Sequence, residues 1–245
     1  MTRTIHVAIP AYSGEIGAPT VVSLMRAAEE ARALGAALEL DIRAHDSFLT
    51  RGRNVLVHRF LESGADDLVF WDADVAAAPG DFTRLIGHPV DCVAGCYRAR
   101  KDPELYVFRP LAADVDPATG LLEIEGVGAG FLRLTRAAVE RTIAHFPQLW
   151  VHDCDHGRIA WLFDNDIVDH GAWSEDMTFF RRFRDAGGRV WVDPELTLHH
   201  TGPKTFSGSY AAFWRGALAA TTTPAELDDA EARMRRLTES FASAA

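Results

Sequence analysis

The chain has 245 residues, of which 48% are apolar and 24% charged, with a formal net charge of −10. That is the composition of a folded globular protein, and it excludes collagen-like, low-complexity and disordered classes. The acidic balance argues against gripping nucleic acid mainly through phosphates, while leaving room for a local basic patch.

In chain order, residues 5–9 form a short β-branched run that stops at Pro10. Pro19 then opens a helical stretch to residue 33, closed by Gly35. Residues 38–42 alternate with period two, as a strand does. Residues 53–61 carry apolar side chains at helical spacing and end at Gly64. Residues 67–71 are nearly all apolar, as expected of a central strand covered on both faces. Asp81 can cap a short helix to residue 86, and residues 91–95 read as a fourth strand. Successive βα units predict an α/β fold, an open and mostly parallel sheet flanked by helices. In such sheets ligands bind at the carboxyl ends of the strands.

The second half is less regular. A turn at 116–120 separates strand-like residues 114–115 and 121–124. Glycines at 126, 128 and 130 precede a strand at 131–134 and a helix at 136–145. Residues 147–173 read as a loop rich in His, Asp and Trp. A helix runs from Ser174 to residue 186, and residues 190–192 and 196–200 are strand-like around Asp193-Pro194. Helices at 210–220 and 224–241 close the chain. There is no repeat and no Pro/Ser-rich linker, so a single domain spanning 1–205 is expected, with 206–245 as a helical extension packed on it.

No apolar run reaches the roughly 18–20 residues of a membrane span. Met1-Thr2-Arg3-Thr4 leads straight into a strand, so no signal peptide is expected. Cys92, Cys96 and Cys154 are too few for a disulfide scaffold and lack a second Cys/His pair at zinc spacing. They read as reduced thiols, and the protein as cytoplasmic.

Asp72-Ala73-Asp74 stands directly after the apolar strand. Residues two apart in an extended segment point to one side, so both carboxylates can face one cleft and hold Mg2+ or Mn2+ with substrate phosphates. The alternative is that Asp74 caps a turn before Pro79 and Asp72 ends a strand. Ser174-Glu175-Asp176 fits a capped helix start with acids in the first turn, or a general base held at a helix N-terminus. Of His199 and His200, at most one imidazole faces a site, and His200 fits a core edge equally well. The G-x-G-x-G of residues 126–130 lacks the spacing of a dinucleotide turn; it marks a bulge or a close approach by a sugar. Arg51, Arg53 and Asn54 can bind phosphate or base through charge-assisted hydrogen bonds, as can the basic loop of Arg98, Arg100 and Lys101; a solvated face is the default reading of both groups. Trp150, Trp161 and Trp173 can stack on a sugar or pack in the core.

The order of these motifs resembles the GT-A glycosyltransferases, closest to the family 2-like bacterial and phage branch. It runs from Pro10-Ala11-Tyr12 through Arg53-Asn54, Asp72-Ala73-Asp74 and Gly128-Ala129-Gly130 to Glu175-Asp176, Asp193-Pro194 and His200-Thr201-Gly202. The resemblance covers about residues 5–202. It implies a nucleotide-diphospho-sugar transferase fold and a metal-dependent transfer from a nucleotide sugar, UDP by family habit, to an acceptor hydroxyl. It places the nucleoside on Pro10, Ala11, Tyr12, Arg53 and Asn54, and the ribose or metal on Asp72 beside Ala73. It gives the Mn2+ or Mg2+ ion to Asp72, Asp74 and His200, and the sugar to Gly128, Ala129 and Gly130. Asp176 matches the base of inverting hexosyltransferases, with Glu175 beside it as the other candidate. A glycan, a small molecule or a modified DNA base are the acceptor classes it leaves open.

Two other readings remain. A haloacid-dehalogenase-type phosphatase would use Asp72 as nucleophile, but its motif usually sits near the N-terminus, with Thr or Val where this chain has Ala76. A non-catalytic nucleotide-sugar or glycan-binding module would keep the scaffold without needing metal, base and sugar candidates together.

Overall fold

The computed structural model describes residues 2–111, 115–168, 170–202 and 205–219. The chain starts with β1 (Thr4–Ala11), α1 (Ala18–Ala33) and β2 (Ala37–Ala44). Pro19 sits in the first turn of α1, where its missing N–H leaves no bond unmade. Next come α2 (Leu49–Ser63), β3 (Asp67–Trp71), β4 (Val75–Ala77), α3 (Asp81–Gly87) and β5 (Cys92–Ala94). Gly64 ends α2 in the left-handed region at φ 74°, which a side chain would strain. The middle of the chain supplies β6 (Phe108–Pro110), β7 (Leu122–Val127), β8 (Phe131–Thr135) and α4 (Arg136–His145). Two small hairpins follow, β9 (Trp150–Asp153) with β10 (Gly157–Ala160), and β11 (Asp166–Val168) with β12 (Gly171–Trp173). Then come α5 (Glu175–Asp185), β13 (Val190–Val192), β14 (Leu198–Thr201), β15 (Thr205–Ser207) and α6 (Tyr210–Ala219).

Eight strands form one sheet in the order β2-β1-β3-β8-β5-β13-β7-β6. β1 is parallel to β2 and β3, and β13 is parallel to β5. Only β7 and β8 run against the rest, so the sheet is mostly parallel, as the βα alternation predicts. Successive residues of each strand bury on opposite faces. Ala8, Leu68, Phe70 and Leu132 pack with α2, α4 and α5; Ile5, Val7, Val69 and Trp71 pack with α1 and α3. β3 is buried at all five positions.

The differences from the sequence reading lie mostly beyond residue 95. β7 pairs with β6 rather than with residues 114–115, of which 114 lies outside the described residues. The loop expected at 147–173 contains both hairpins. β4 is a further strand, and it makes a three-stranded sheet with β14 and β15. α2 begins at Leu49 rather than residue 53, with Asp46 accepting the Phe48 N–H just ahead of it. α6 packs Tyr210 against Tyr106 and Phe108; the helix expected at 224–241 lies outside the described residues. All three cysteines are free, and burial pushes the Cys92 and Cys96 thiols up.

Candidate active site

β3 ends at Trp71, whose indole Nε1 donates to the Val75 carbonyl at 2.7 Å and fixes the turn through Asp72-Ala73-Asp74 into β4. β14 runs antiparallel to β4 and sets His200 opposite Val75. The Thr201 N–H donates to the Asp74 carbonyl at 2.8 Å. This backbone register brings a histidine from 126 positions along the chain to the tip of β3, with Nε2 3.5 Å from Asp74 Oδ1. His199, on the other side of the strand, hydrogen-bonds Ser207 instead.

His200 Nδ1 lies 3.0 Å from the Arg98 carbonyl, and Arg100 Nε donates to Nε2 at 2.9 Å. These contacts set the tautomer: Nδ1–H donates and Nε2 accepts. Burial lowers the His200 pKa from its ordinary value; the Arg98 carbonyl opposes this and the Arg100 charge adds to it. Arg100 Nη2 donates to Asp74 Oδ2, so one guanidinium spans the carboxylate and the imidazole.

Asp72 faces another set of partners. Its Oδ1 accepts from Arg53 Nη2 at 3.0 Å, and the Tyr97 hydroxyl lies 3.4 Å from Oδ2. Arg53 is buried over the rings of Phe70 and Phe163 and also stands 3.5 Å from Glu175. A Cβ on Gly130 would come within 2.4 Å of Asp72 Oδ2, and one on Gly128 within 2.7 Å of the Tyr97 hydroxyl. The space those glycines leave is filled by Tyr97 and Asp72, which is why side chains are excluded there. Ala129 is fully buried in the core.

Ser174 occupies the N-cap position of α5, but its side chain makes no cap bond; its hydroxyl donates to Asp176 Oδ1. The Met177 N–H donates to the same oxygen at 2.8 Å. Burial raises the Glu175 pKa, the Asp176 charge adds to it, and Arg53 opposes both.

Two adjoining clefts open at these strand ends. The larger, about 610 Å3, is lined by Pro10, Tyr12, Asp72, Ala73 and Asp74 among others. The smaller, about 400 Å3, is lined by Val107, Val127, Gly128 and Asp176 among others. Tyr97, Arg100 and His200 line both. Most of the residues singled out in the sequence therefore meet here. Ala11 is buried in β1 behind Pro10, and Tyr12 is 66% exposed. Arg53 and Asn54 form the floor rather than the surface. Asn54 is buried, donating to the Phe163 carbonyl at 2.7 Å and accepting from its N–H at 2.9 Å.

Sequence reasoning missed Tyr97, which has no motif around it, and did not foresee the bridging contacts of Arg100. It also passed over Asp153, Cys154 and Asp155. Among the described residues these are the one group of three whose ligand-type atoms all lie within 4.8 Å of one another. Arg51 Nε donates to Asp153 at 2.7 Å and Nη2 to Asp155 at 2.6 Å. Arg51, for which the sequence left phosphate binding or a solvated face open, is the counter-charge of this acidic turn. Trp173 lies against Arg109 and Arg181, and Trp150 against Arg158.

The site thus sits on a mostly parallel sheet, with aspartates at the tip of β3 and a histidine returned beside them by β14. No family model matches the sequence, and no curated protein does. Among solved structures, A197 from STIV is similar over 84% of this chain and 90% of its own, with TM-score 0.54 and 19% identity, which shows a shared fold. A mutant Drosophila beta-1,4-galactosyltransferase 7 in complex with manganese, UDP-Gal and xylobiose gives TM-score 0.41 and 15% identity, over 78% of this chain and 65% of that one. A glycosyltransferase involved in the glycosylation of the major capsid of PBCV-1 gives 0.34 and 11%, over 56% and 62%.

Proposed function

We propose that this chain is an inverting glycosyltransferase that moves a sugar from a nucleotide-diphosphate donor to an acceptor hydroxyl. The observation that carries the reading is the pair of adjoining clefts: Asp74 lines one, Asp176 lines the other, and His200 lines both. About 610 Å3 is ample for a nucleotide sugar, since small-ligand sites span roughly 300–1,000 Å3. The donor lies in the larger cleft, its base against the exposed Tyr12 ring and its sugar towards Gly128.

The donor set suits Mn2+ or Mg2+: Asp74 offers a hard carboxylate oxygen, and His200 a neutral Nε2. The guanidinium that spans the pair is in keeping with a position that takes a cation. Asp74 and His200 would hold the ion, with Asp72 as a third ligand once it turns from Arg53. A divalent cation bound there neutralises charge developing on the departing nucleoside diphosphate. Asp176 takes the proton of the acceptor hydroxyl as attack proceeds, and the bonds from Ser174 and Met177 aim its carboxylate. Glu175, held against Arg53, is the weaker candidate for base. Arg53 is a positioning residue that links Asp72 to Glu175 beneath the cleft. A glycan, a small molecule or a modified DNA base fits as acceptor.

The phosphatase reading is weakened because the would-be nucleophile Asp72 is tied to Arg53. Thermal-shift screening of UDP-, GDP-, CDP- and ADP-sugars with MnCl2, followed by an assay for released nucleoside diphosphate, tests the proposal. A donor at a hundred times its Kd stabilises the fold by about 2.7 kcal/mol. Binding without release favours the non-catalytic module, and no shift with any donor overturns the proposal.

A further inference from the structure

We propose that Arg100 is a built-in occupant of the donor site's cation position, so that a divalent ion enters together with the nucleoside diphosphate rather than ahead of it. The inference rests on the donor reading above and concerns how that same site is regulated. Arg100 is bonded through Nε to His200 Nε2 and through Nη2 to Asp74 Oδ2. Those are the two atoms with which this pair would hold a metal.

A guanidinium does not lose its proton in a protein. The pair is therefore freed only by moving the side chain. That movement is open to it, because the Arg100 side chain is 42% exposed and lines both clefts. Gly202 marks how closely Arg100 is seated: a Cβ there would lie 2.8 Å from Arg100 Cδ. A divalent ion arriving alone has to displace a cation and leave it without a partner. A diphosphate arriving with the ion supplies new acceptors for the guanidinium, in the paired geometry that arginine favours. Ion and nucleotide then help each other to bind, by one factor that is equal in both directions.

Two variants separate the roles. Arg100→Ala removes the competing charge, and Gly202→Ala leaves the charge but pushes its stem aside. The experiment is a calorimetric titration of the full chain with MnCl2, alone and with saturating UDP or GDP, repeated on Asp74→Ala. Without nucleotide, Arg100→Ala is expected to bind Mn2+ about tenfold more tightly than wild type, within the range usual for coupled sites. Gly202→Ala should shift in the same direction by less. In wild type the nucleotide should tighten Mn2+ binding markedly, and in Arg100→Ala this gain should shrink by about the same tenfold, leaving what the diphosphate oxygens supply as ligands, while nucleotide affinity falls. Unchanged Mn2+ affinity in Arg100→Ala overturns the proposal while leaving the donor reading intact. If neither wild type nor Arg100→Ala binds Mn2+ with or without nucleotide, the metal-dependent donor reading fails and this inference fails with it.

Discussion

Residues 4–94 lay down β1 to β5 by repeating strand and helix, whereas residues 95–219 reach the same cleft through hairpins, short strands and charged contacts. The first region puts Asp72 and Asp74 on the tip of a strand buried at every position. Apart from Arg53, which bonds Asp72 from α2, the second supplies the side chains that meet them, Tyr97 and Arg100 from one loop and His200 from β14, and it sets Asp176 in the adjoining cleft. Hydrophobic burial fixes the first region. The second is held at the site by directional contacts such as His200 to the Arg98 carbonyl and Asp176 to Ser174. The site lies on the seam between the two regions.

The division of labour can be broken at the strand tip first. Asp74→Ala removes the carboxylate shared by Arg100 and His200, and is expected to lower kcat/KM for transfer by on the order of a thousandfold or more. Steady-state assays with the donor found by screening check this, and near-normal transfer would detach Asp74 from the chemistry. In the second region, Asp176→Asn should lower kcat by about a hundredfold to ten-thousandfold while the nucleotide still binds. Paired turnover and calorimetric measurements read the two effects apart.

A smaller effect asks whether the two regions fold as one. Phe163 belongs to the irregular region, yet it is fully buried, 4.5 Å from Phe179 between ring centroids and edge-on to Phe70 of β3. Phe163→Ala is expected to cost about 3–5 kcal/mol, within a single urea transition. Two separate transitions would show that the regions unfold independently. Smallest is the acidic turn. The Arg51 hydrogen bonds lower the Asp153 pKa from 3.8 to about 2, against the effect of burial. A depressed carboxylate stabilises the fold above its ordinary pKa, and that contribution is lost as pH falls through the folded value. Asp153→Asn should therefore be less stable than wild type by about 2 kcal/mol at neutral pH. The difference should shrink between pH 4 and pH 2 in denaturation measured across that range.

The same seam explains what was legible. Residues 67–71, 136–145 and 190–192 form the expected elements with the expected bounds, because burial on both faces or a clear helical period leaves a strong local signal. Asp72, Asp74, Asp176 and His200 are singled out in the sequence because each stands near the end or start of an element, and all four line the adjoining clefts. Their grouping was not local. It depends on β4, three residues with no periodicity, pairing with β14 far along the chain. Arg53 and Asn54 read as ligand-facing, yet burial beside Phe70 and Phe163 turns them into supports. Nothing nearby in sequence announces that burial. Tyr97 follows a short strand without any pattern, and only the glycines at 128 and 130, which make room for it, hinted at a crowded spot.

Anomalous diffraction at the manganese edge, from crystals grown with MnCl2 and UDP, tests the central assignment most directly. The account predicts one strong peak within bonding distance of Asp74 and His200, next to the nucleotide's phosphates and with Arg100 displaced. A peak between Asp153 and Asp155 with nothing at His200 would contradict it.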